Sequence, residues 1–181
     1  MNSLEYHYKY LVRKDLIMRF NYLNPSEIPT LSKITINMGL KEGALNKKKI
    51  VSSLVALELL TGQTPVVTKS KSAIANFNLK KNQPIGCKLT LHKKKLFNFI
   101  LKYTTFVIYL NKSFIGLTET SFNNTYNYGI GIKDLSVFPE ISQHYENFDS
   151  LKGMDLLLNT TAKTKEEAKF LLSSLRLPYS K

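Results

Sequence analysis

Two segments of the sequence, residues 31–39 and 86–92, alternate between apolar and polar residues, strictly so from Lys33 to Met38 and from Cys87 to His92. Successive side chains of a β-strand point to opposite faces, so each segment is predicted to be a strand with one buried and one polar face. The polar positions are Lys33, Thr35 and Asn37 in the first segment and Lys88, Thr90 and His92 in the second.

Other segments have a helical period, so the predicted strands and helices alternate along the chain. Helices are predicted over residues 4–20, 47–61 and 93–110, and shorter strands over 65–68, 126–132 and 153–161. Thr164, with Glu167 three residues later, has the capping-box pattern that opens a final helix. We expect one α+β domain over residues 1–181, a two-layer sandwich of a mostly antiparallel sheet with helices packed on one face.

The polar face of the two alternating segments admits two interpretations. It is either the ordinary solvated side of an antiparallel sheet or a platform for nucleic acid. In the second case lysines would meet phosphates, while threonine, asparagine and histidine would bond ribose hydroxyls and base edges. RNA fits this set well, because a 2′-hydroxyl both donates and accepts hydrogen bonds.

The charge is strongly asymmetric along the chain. The formal net charge is +13, and residues 1–102 carry 18 basic and 5 acidic side chains, whereas residues 103–181 carry 8 of each. A cationic excess confined to one part of a chain is typical of a polyanion-binding surface, although a solvated basic face with no partner would look the same.

Part of this charge falls at about residues 69–84, a polar and weakly periodic segment that is predicted to be an extended basic loop or a loose hairpin. Long loops in compact domains are usually either functional or disordered. Phe77 within the loop is either an anchor to the core or a stacking surface. The candidate contact residues are Lys69, Lys71, Ser72, Asn76, Phe77, Lys80 and Lys81.

Enzyme signatures are absent from the sequence. It contains no CxxC, HExxH, Walker A or GxSxG pattern, and we expect no catalytic residue, cofactor or metal site. The lone Cys87 excludes an internal disulfide and is expected to pack as a small hydrophobe. No secretory signal is visible, and the apolar stretch at residues 96–110 is too short and too polar to cross a bilayer, so we expect no membrane contact.

Five ordered motifs carry a resemblance to a known family. They are KITINMG at residues 33–39, TGQTPVVTKSKSAIANF at 61–77, PIGCKLTL at 84–91, FPEI at 138–141 and GMDLLLNTTAKTKEEAKFLL at 153–172. Together they closely resemble large-subunit ribosomal protein five of the bacterial type, the family that binds 5S ribosomal RNA.

The resemblance implies an α+β domain in the central protuberance of the large ribosomal subunit, beside large-subunit rRNA and neighbouring proteins. Family members hold 5S rRNA on the sheet. They direct the long loop, here residues 69–83, toward the peptidyl-site (P-site) transfer RNA, and form an inter-subunit bridge with small-subunit ribosomal protein thirteen. The matching sheet positions are Thr35, Asn37, Gln63, Thr68, Lys88 and Thr90.

The sequence departs from the family pattern at residues 107–116 and 121–131, and it contains 23 lysines but 3 arginines. Lysine keeps the charge of arginine but loses its planar bidentate fork. The lysine and asparagine bias is typical of an AT-rich genome and suggests an organelle-encoded protein, with a mitochondrion the first choice and a plastid the second. A free-standing RNA-binding regulator that uses the same sheet face remains the alternative.

Overall fold

The protein folds into an antiparallel five-stranded sheet accompanied by helices. The structure, a computed structural model, describes residues 3–40, 47–110, 116–148, 151 and 153–179. The predicted α+β class is confirmed. The strands lie in the order β2-β3-β1-β5-β4. Their bounds are Leu31–Gly39 (β1), Val66–Lys69 (β2), Pro84–Leu91 (β3), Tyr128–Ile132 (β4) and Met154–Thr160 (β5).

The three long helices predicted from the sequence are present. The helices are α1 (Ser3–His7), α2 (Arg13–Phe20), α3 (Lys47–Thr61), α4 (Lys93–Lys102), α5 (Ile108–Leu110), α6 (Pro139–Ser142), α7 (Tyr145–Phe148) and α8 (Lys165–Ser174). A π-helical segment, Tyr8–Val12, joins α1 to α2, and another, Tyr103–Val107, joins α4 to α5. The four-residue helices α6 and α7 were not predicted, because four residues are too few to show a helical period.

The internal contacts divide the chain into two compact units. The first comprises residues 1–34, 91–130 and 157–181, and the second comprises residues 35–90 and 131–156.

The second unit buries one face of β1 and β3 and leaves the other open. Ile36 and Met38 of β1 are buried, as are Cys87 and Leu89 of β3, in the alternation expected from the sequence. The Cys87 thiol donates to the Ser53 hydroxyl of α3 at 3.3 Å, which places this helix against the buried face. Burial raises the pKa of the Cys87 thiol, as expected for a cysteine packed as a small hydrophobe.

The first unit is built on the helices at both ends of the chain. Helix α1 packs against α4, and α2 packs against α8. The predicted cap of α8 is confirmed, since the Thr164 hydroxyl accepts the Glu167 N–H at 3.3 Å. The Glu167 carboxylate accepts the N–H of Lys163 at 2.9 Å, one residue before the cap residue.

The region that departs from the family pattern is organised by local hydrogen bonds where the structure describes it. The Asn123 side-chain oxygen accepts the backbone N–H groups of Thr125 and Asn127, at 3.1 and 2.9 Å. The Asn127 side chain in turn accepts the N–H of Thr160 at 2.9 Å, which ties this turn to β5. Residues 111–115 lie outside the described part of the chain.

Candidate nucleic-acid interface

The open face of the second unit carries polar side chains on two neighbouring strands. Asn37 of β1 and Lys88 of β3 are exposed, whereas Thr35 and Thr90 are half-buried. Since β1 and β3 are adjacent in the sheet, the structure brings together residues that are about fifty positions apart in sequence.

The backbone hydrogen bond just beyond the end of β1 shows how these two strands are aligned. The N–H of Leu40 donates to the carbonyl of Ile85 at 2.9 Å. Counting in opposite directions from this bond along the antiparallel strands places Asn37 beside Lys88 and, two residues further, Thr35 beside Thr90. We call the surface formed by Thr35, Asn37, Thr68, Lys88 and Thr90 the polar sheet face.

Strand β2 adds Thr68 to this surface through its register with β3. Thr68 pairs with Gly86, and Val66 pairs with Lys88. Directly opposed residues of an antiparallel pair point to the same face, so Thr68 lies on the polar sheet face with Lys88. The register shifts after Thr68, where the chain leaves the strand pair for the basic loop.

Val66 is a member of this surface that sequence reasoning missed. It is 70% exposed and lies directly opposite Lys88. A valine in a short apolar strand predicts burial, and only the pairing with β3 shows that this one faces outward. It supplies an apolar contact among the polar groups.

Gln63 is held at the edge of the strands by a side-chain hydrogen bond. It follows Gly62, which ends α3. Gly62 has a φ of +63°, and its N–H donates to the Glu58 carbonyl at 2.7 Å, as in the left-handed helix cap that glycine favours. The Gln63 amide N–H₂ donates to the Thr90 carbonyl at 3.1 Å. This bond fixes the side chain and leaves its amide oxygen as an acceptor.

Lys33 and His92 belong to the first unit rather than to the second. Both side chains are exposed. His92 Nδ1 lies 3.3 Å from the carbonyl oxygen of Ser32, so the ring is anchored to the start of β1. The same counting along the strands places His92 beside Lys33.

The charge of the strand lysines is not neutralised within the described part of the chain. Neither Lys33 nor Lys88 forms an ion pair with any described residue. An exposed ammonium group with no carboxylate beside it is free to meet an external anion.

The basic loop, residues 69–83, is closed at its base by Ser70. The Ser70 N–H donates to the Gln83 carbonyl at 2.9 Å, and the Ser70 carbonyl accepts the N–H of Asn82 at 3.1 Å. The Ser70 hydroxyl donates to the Lys80 carbonyl and accepts the Gln83 N–H, and Ser70 is buried. The loop is therefore a hairpin braced by Ser70, whereas the sequence left an extended loop and a loose hairpin as alternatives.

Further backbone bonds order the tip. Ile74 and Leu79 exchange backbone hydrogen bonds of 3.0 and 3.1 Å around a 3₁₀ turn at Ala75–Phe77. Asn78 and Asn82 adopt positive φ, a conformation that asparagine tolerates better than most residues.

The candidate contact residues of the loop are displayed around this scaffold. Lys69, Lys71, Ser72, Asn76, Lys80 and Lys81 are all exposed. The side chain of Phe77 lies outside the described part of the structure, so the choice between anchor and stacking surface stays a prediction. The side chains of Lys47 and Lys48, at the start of α3, also lie outside it.

The described residues hold no group of three or more histidine, cysteine, aspartate or glutamate side chains that could bind a metal ion. No helix among them is long and apolar enough to cross a membrane.

The sequence matches two family models that together span most of the chain. Residues 24–80 match ribosomal protein L5, and residues 84–179 match the C-terminus of the same ribosomal protein family.

Individual relatives agree with these matches. The chain is 45% identical to the large ribosomal subunit protein uL5m of Reclinomonas americana over 100% of both chains. It is 41% identical to uL5 of Variovorax paradoxus over 99% of both, and 42% identical to uL5 of Clostridium tetani over 91% of both. The chain therefore belongs to the ribosomal protein L5 family and is a structural, non-enzymatic component of the large ribosomal subunit.

Proposed function

We propose that this protein binds 5S rRNA in the central protuberance through the polar sheet face. The observation that carries the proposal is the pairing of Asn37 with Lys88 on an open face whose opposite side is buried. A hydrogen-bonding amide lies there beside a cation that forms no ion pair with any residue the structure describes. Such a pair contacts a base edge or ribose and a neighbouring phosphate at once.

The remaining groups of the face suit RNA. The hydroxyls of Thr35 and Thr90 donate and accept, as does a ribose 2′-hydroxyl. Both threonines are half-buried, so their rotamers are restrained and little side-chain entropy is lost on binding. Lys33 and His92, in the first unit, are proposed as further rRNA contacts.

The basic loop is proposed to contact the P-site transfer RNA. Its exposed lysines project from a hairpin that Ser70 holds closed, so the cations are presented on an ordered scaffold. Preorganisation of this kind lowers the entropy lost when a loop meets its partner.

We further infer a place for the protein within the ribosome. The resemblance supports contacts with large-subunit rRNA and an inter-subunit bridge with small-subunit ribosomal protein thirteen. A mitochondrial ribosome is the proposed location, supported by the lysine and asparagine bias and by the identity to a mitochondrial-type uL5m, with a plastid ribosome as the alternative.

A double substitution tests the sheet proposal. Asn37→Ala with Thr90→Ala should weaken 5S rRNA binding at least tenfold in a filter-binding assay, with the circular dichroism spectrum unchanged. The matched control removes the same two side-chain types from exposed positions elsewhere, Asn124→Ala with Thr105→Ala, and should bind as wild type. Equal affinity of the two double variants would refute the sheet platform.

Salt dependence and sedimentation separate the ribosomal role from a free-standing regulator. With 6–10 phosphate contacts, 5S rRNA affinity should fall roughly 10³–10⁵-fold between 50 and 200 mM salt. A ribosomal protein should sediment with the large subunit at low salt. Sedimentation of most of the protein apart from the subunit would favour the regulator.

A further inference from the structure

The outward side of the N-terminal helical run, residues 3–20, carries cations that belong to neither the polar sheet face nor the basic loop. Lys9 and Lys14 are exposed and Arg13 is half-buried, and all three line one open cleft of about 370 Å³. None of the three forms an ion pair with a residue that the structure describes.

Two tyrosines lie beside these cations. Tyr6 and Tyr10 are 55% and 42% exposed, and their ring centroids are 4.4 Å apart. The Lys9 ammonium lies 5.7 Å from the centre of the Tyr10 ring. Exposed aromatic rings beside cations are typical of surfaces that contact the sugars and bases of RNA.

Arg13 gives the surface a more specific chemistry. The other arginine of this helical run, Arg19, lies over the Phe170 ring at 4.9 Å and so has a structural contact. Arg13 lines the cleft instead. A guanidinium fork binds a phosphate through two parallel hydrogen bonds, which lysine does not achieve.

The opposite side of the same helical run is buried, which fixes the outward side. Leu4, Val12 and Leu16 are at most 2% exposed. The π-helical segment Tyr8–Val12 lies between Tyr6 and Arg13, and such segments often occur at functional sites. The cations are therefore displayed from a helix that is anchored along its length.

We propose that Tyr6, Lys9, Tyr10, Arg13 and Lys14 form a second RNA-binding surface, which grips a phosphate backbone independently of the polar sheet face. Lys9, Arg13 and Lys14 neutralise neighbouring phosphates, and the tyrosine rings pack against adjacent ribose. This surface adds sequence-independent affinity and belongs to the first unit, whereas the polar sheet face belongs to the second.

The test uses the full chain and a short fluorescein-labelled RNA duplex of mixed sequence as the probe. Arg13→Glu with Lys14→Glu should lower duplex affinity at least tenfold and flatten the slope of log affinity against log salt by about two. The control changes charge equally at two exposed positions outside both surfaces, Lys133→Glu with Arg176→Glu, and should lose less than threefold.

The same measurement in a Thr35→Ala, Asn37→Ala, Thr90→Ala background shows whether the two surfaces are independent. In that background the charge reversal should lower duplex affinity by the same factor as in the wild type, whether or not the polar sheet face binds 5S rRNA. Arg13→Gln with Lys14→Gln provides a milder variant if the reversal perturbs folding, and it should lose at least threefold. Unchanged duplex binding, an equal loss in the control, or a loss that disappears in the sheet background would overturn the proposal.

Discussion

Gly86 of β3 lies so close to β1 that a Cβ atom at this position would stand 2.5 Å from the carbonyl oxygen of Met38. The same Cβ would be 3.1 Å from the Thr68 hydroxyl oxygen. A glycine in the middle of a strand usually weakens it, and here it allows a close approach of backbones. Three strands of the polar sheet face therefore meet at a residue with no side chain.

Substitution of this glycine should damage both the fold and the RNA surface. We expect Gly86→Ala to lower the free energy of unfolding by about 1–3 kcal/mol, because backbone must shift to accept the methyl group. Urea denaturation measures the change. Gly129→Ala in β4 is the matched control, since a Cβ there has nothing within 4 Å. Similar unfolding midpoints for the two variants would contradict the close approach.

Ser70→Ala should loosen the base of the basic loop without unfolding the protein, because the two backbone hydrogen bonds of Ser70 remain. The substitution removes two part-buried hydrogen bonds, to the Lys80 carbonyl and from the Gln83 N–H, which costs about 1 kcal/mol because these two groups still pair with each other at 3.3 Å. Hydrogen exchange of the backbone N–H groups of Asn82 and Gln83 should accelerate at least fivefold. The exposed Ser72→Ala is the control, and equal exchange in both variants would show that Ser70 is not the brace.

The loop lysines should matter for transfer RNA and not for 5S rRNA. We expect Lys71→Ala, Lys80→Ala and Lys81→Ala together to change 5S rRNA affinity less than threefold, because these cations lie on the loop and not on the polar sheet face. Cross-linking to P-site transfer RNA in reconstituted ribosomes should fall severalfold. A large loss of 5S rRNA binding would show that loop and sheet are not separate in function.

Alkaline pH should destabilise the fold through buried tyrosines. Burial, with a smaller contribution from Tyr128, raises the pKa of Tyr103 from 10.0 to about 12. As pH rises, Tyr103 loses its proton in the unfolded chain before it does so in the folded protein, and this favours unfolding. The contribution of Tyr103 to the free energy of unfolding is therefore complete below pH 10 and declines as pH rises toward 12.

Between pH 8 and pH 11, the free energy of unfolding measured in urea should therefore fall by about 1 kcal/mol less in Tyr103→Phe than in the wild type. Tyr109→Phe, at an 83% exposed position, is the control and should follow wild type. If Tyr103→Phe also follows wild type, Tyr103 does not carry this pH dependence.

The sequence alone determined the long helices and the strands of this protein, because their signals are local. Alternation over Leu31–Gly39, the helical period of Lys47–Thr61 and the capping pattern of Thr164 follow from the directions of neighbouring side chains. The confinement of positive charge to residues 1–102 and the five family motifs were also readable without a structure.

Only the tertiary structure decided which residues share a surface. The placement of Asn37 beside Lys88, and of exposed Val66 opposite Lys88, depends on which strands pair and in what register. The closure of the loop by Ser70 depends on contacts with Lys80 and Gln83. Such contacts join residues far apart in the chain, and local backbone preferences do not choose among the partners that long-range pairing offers.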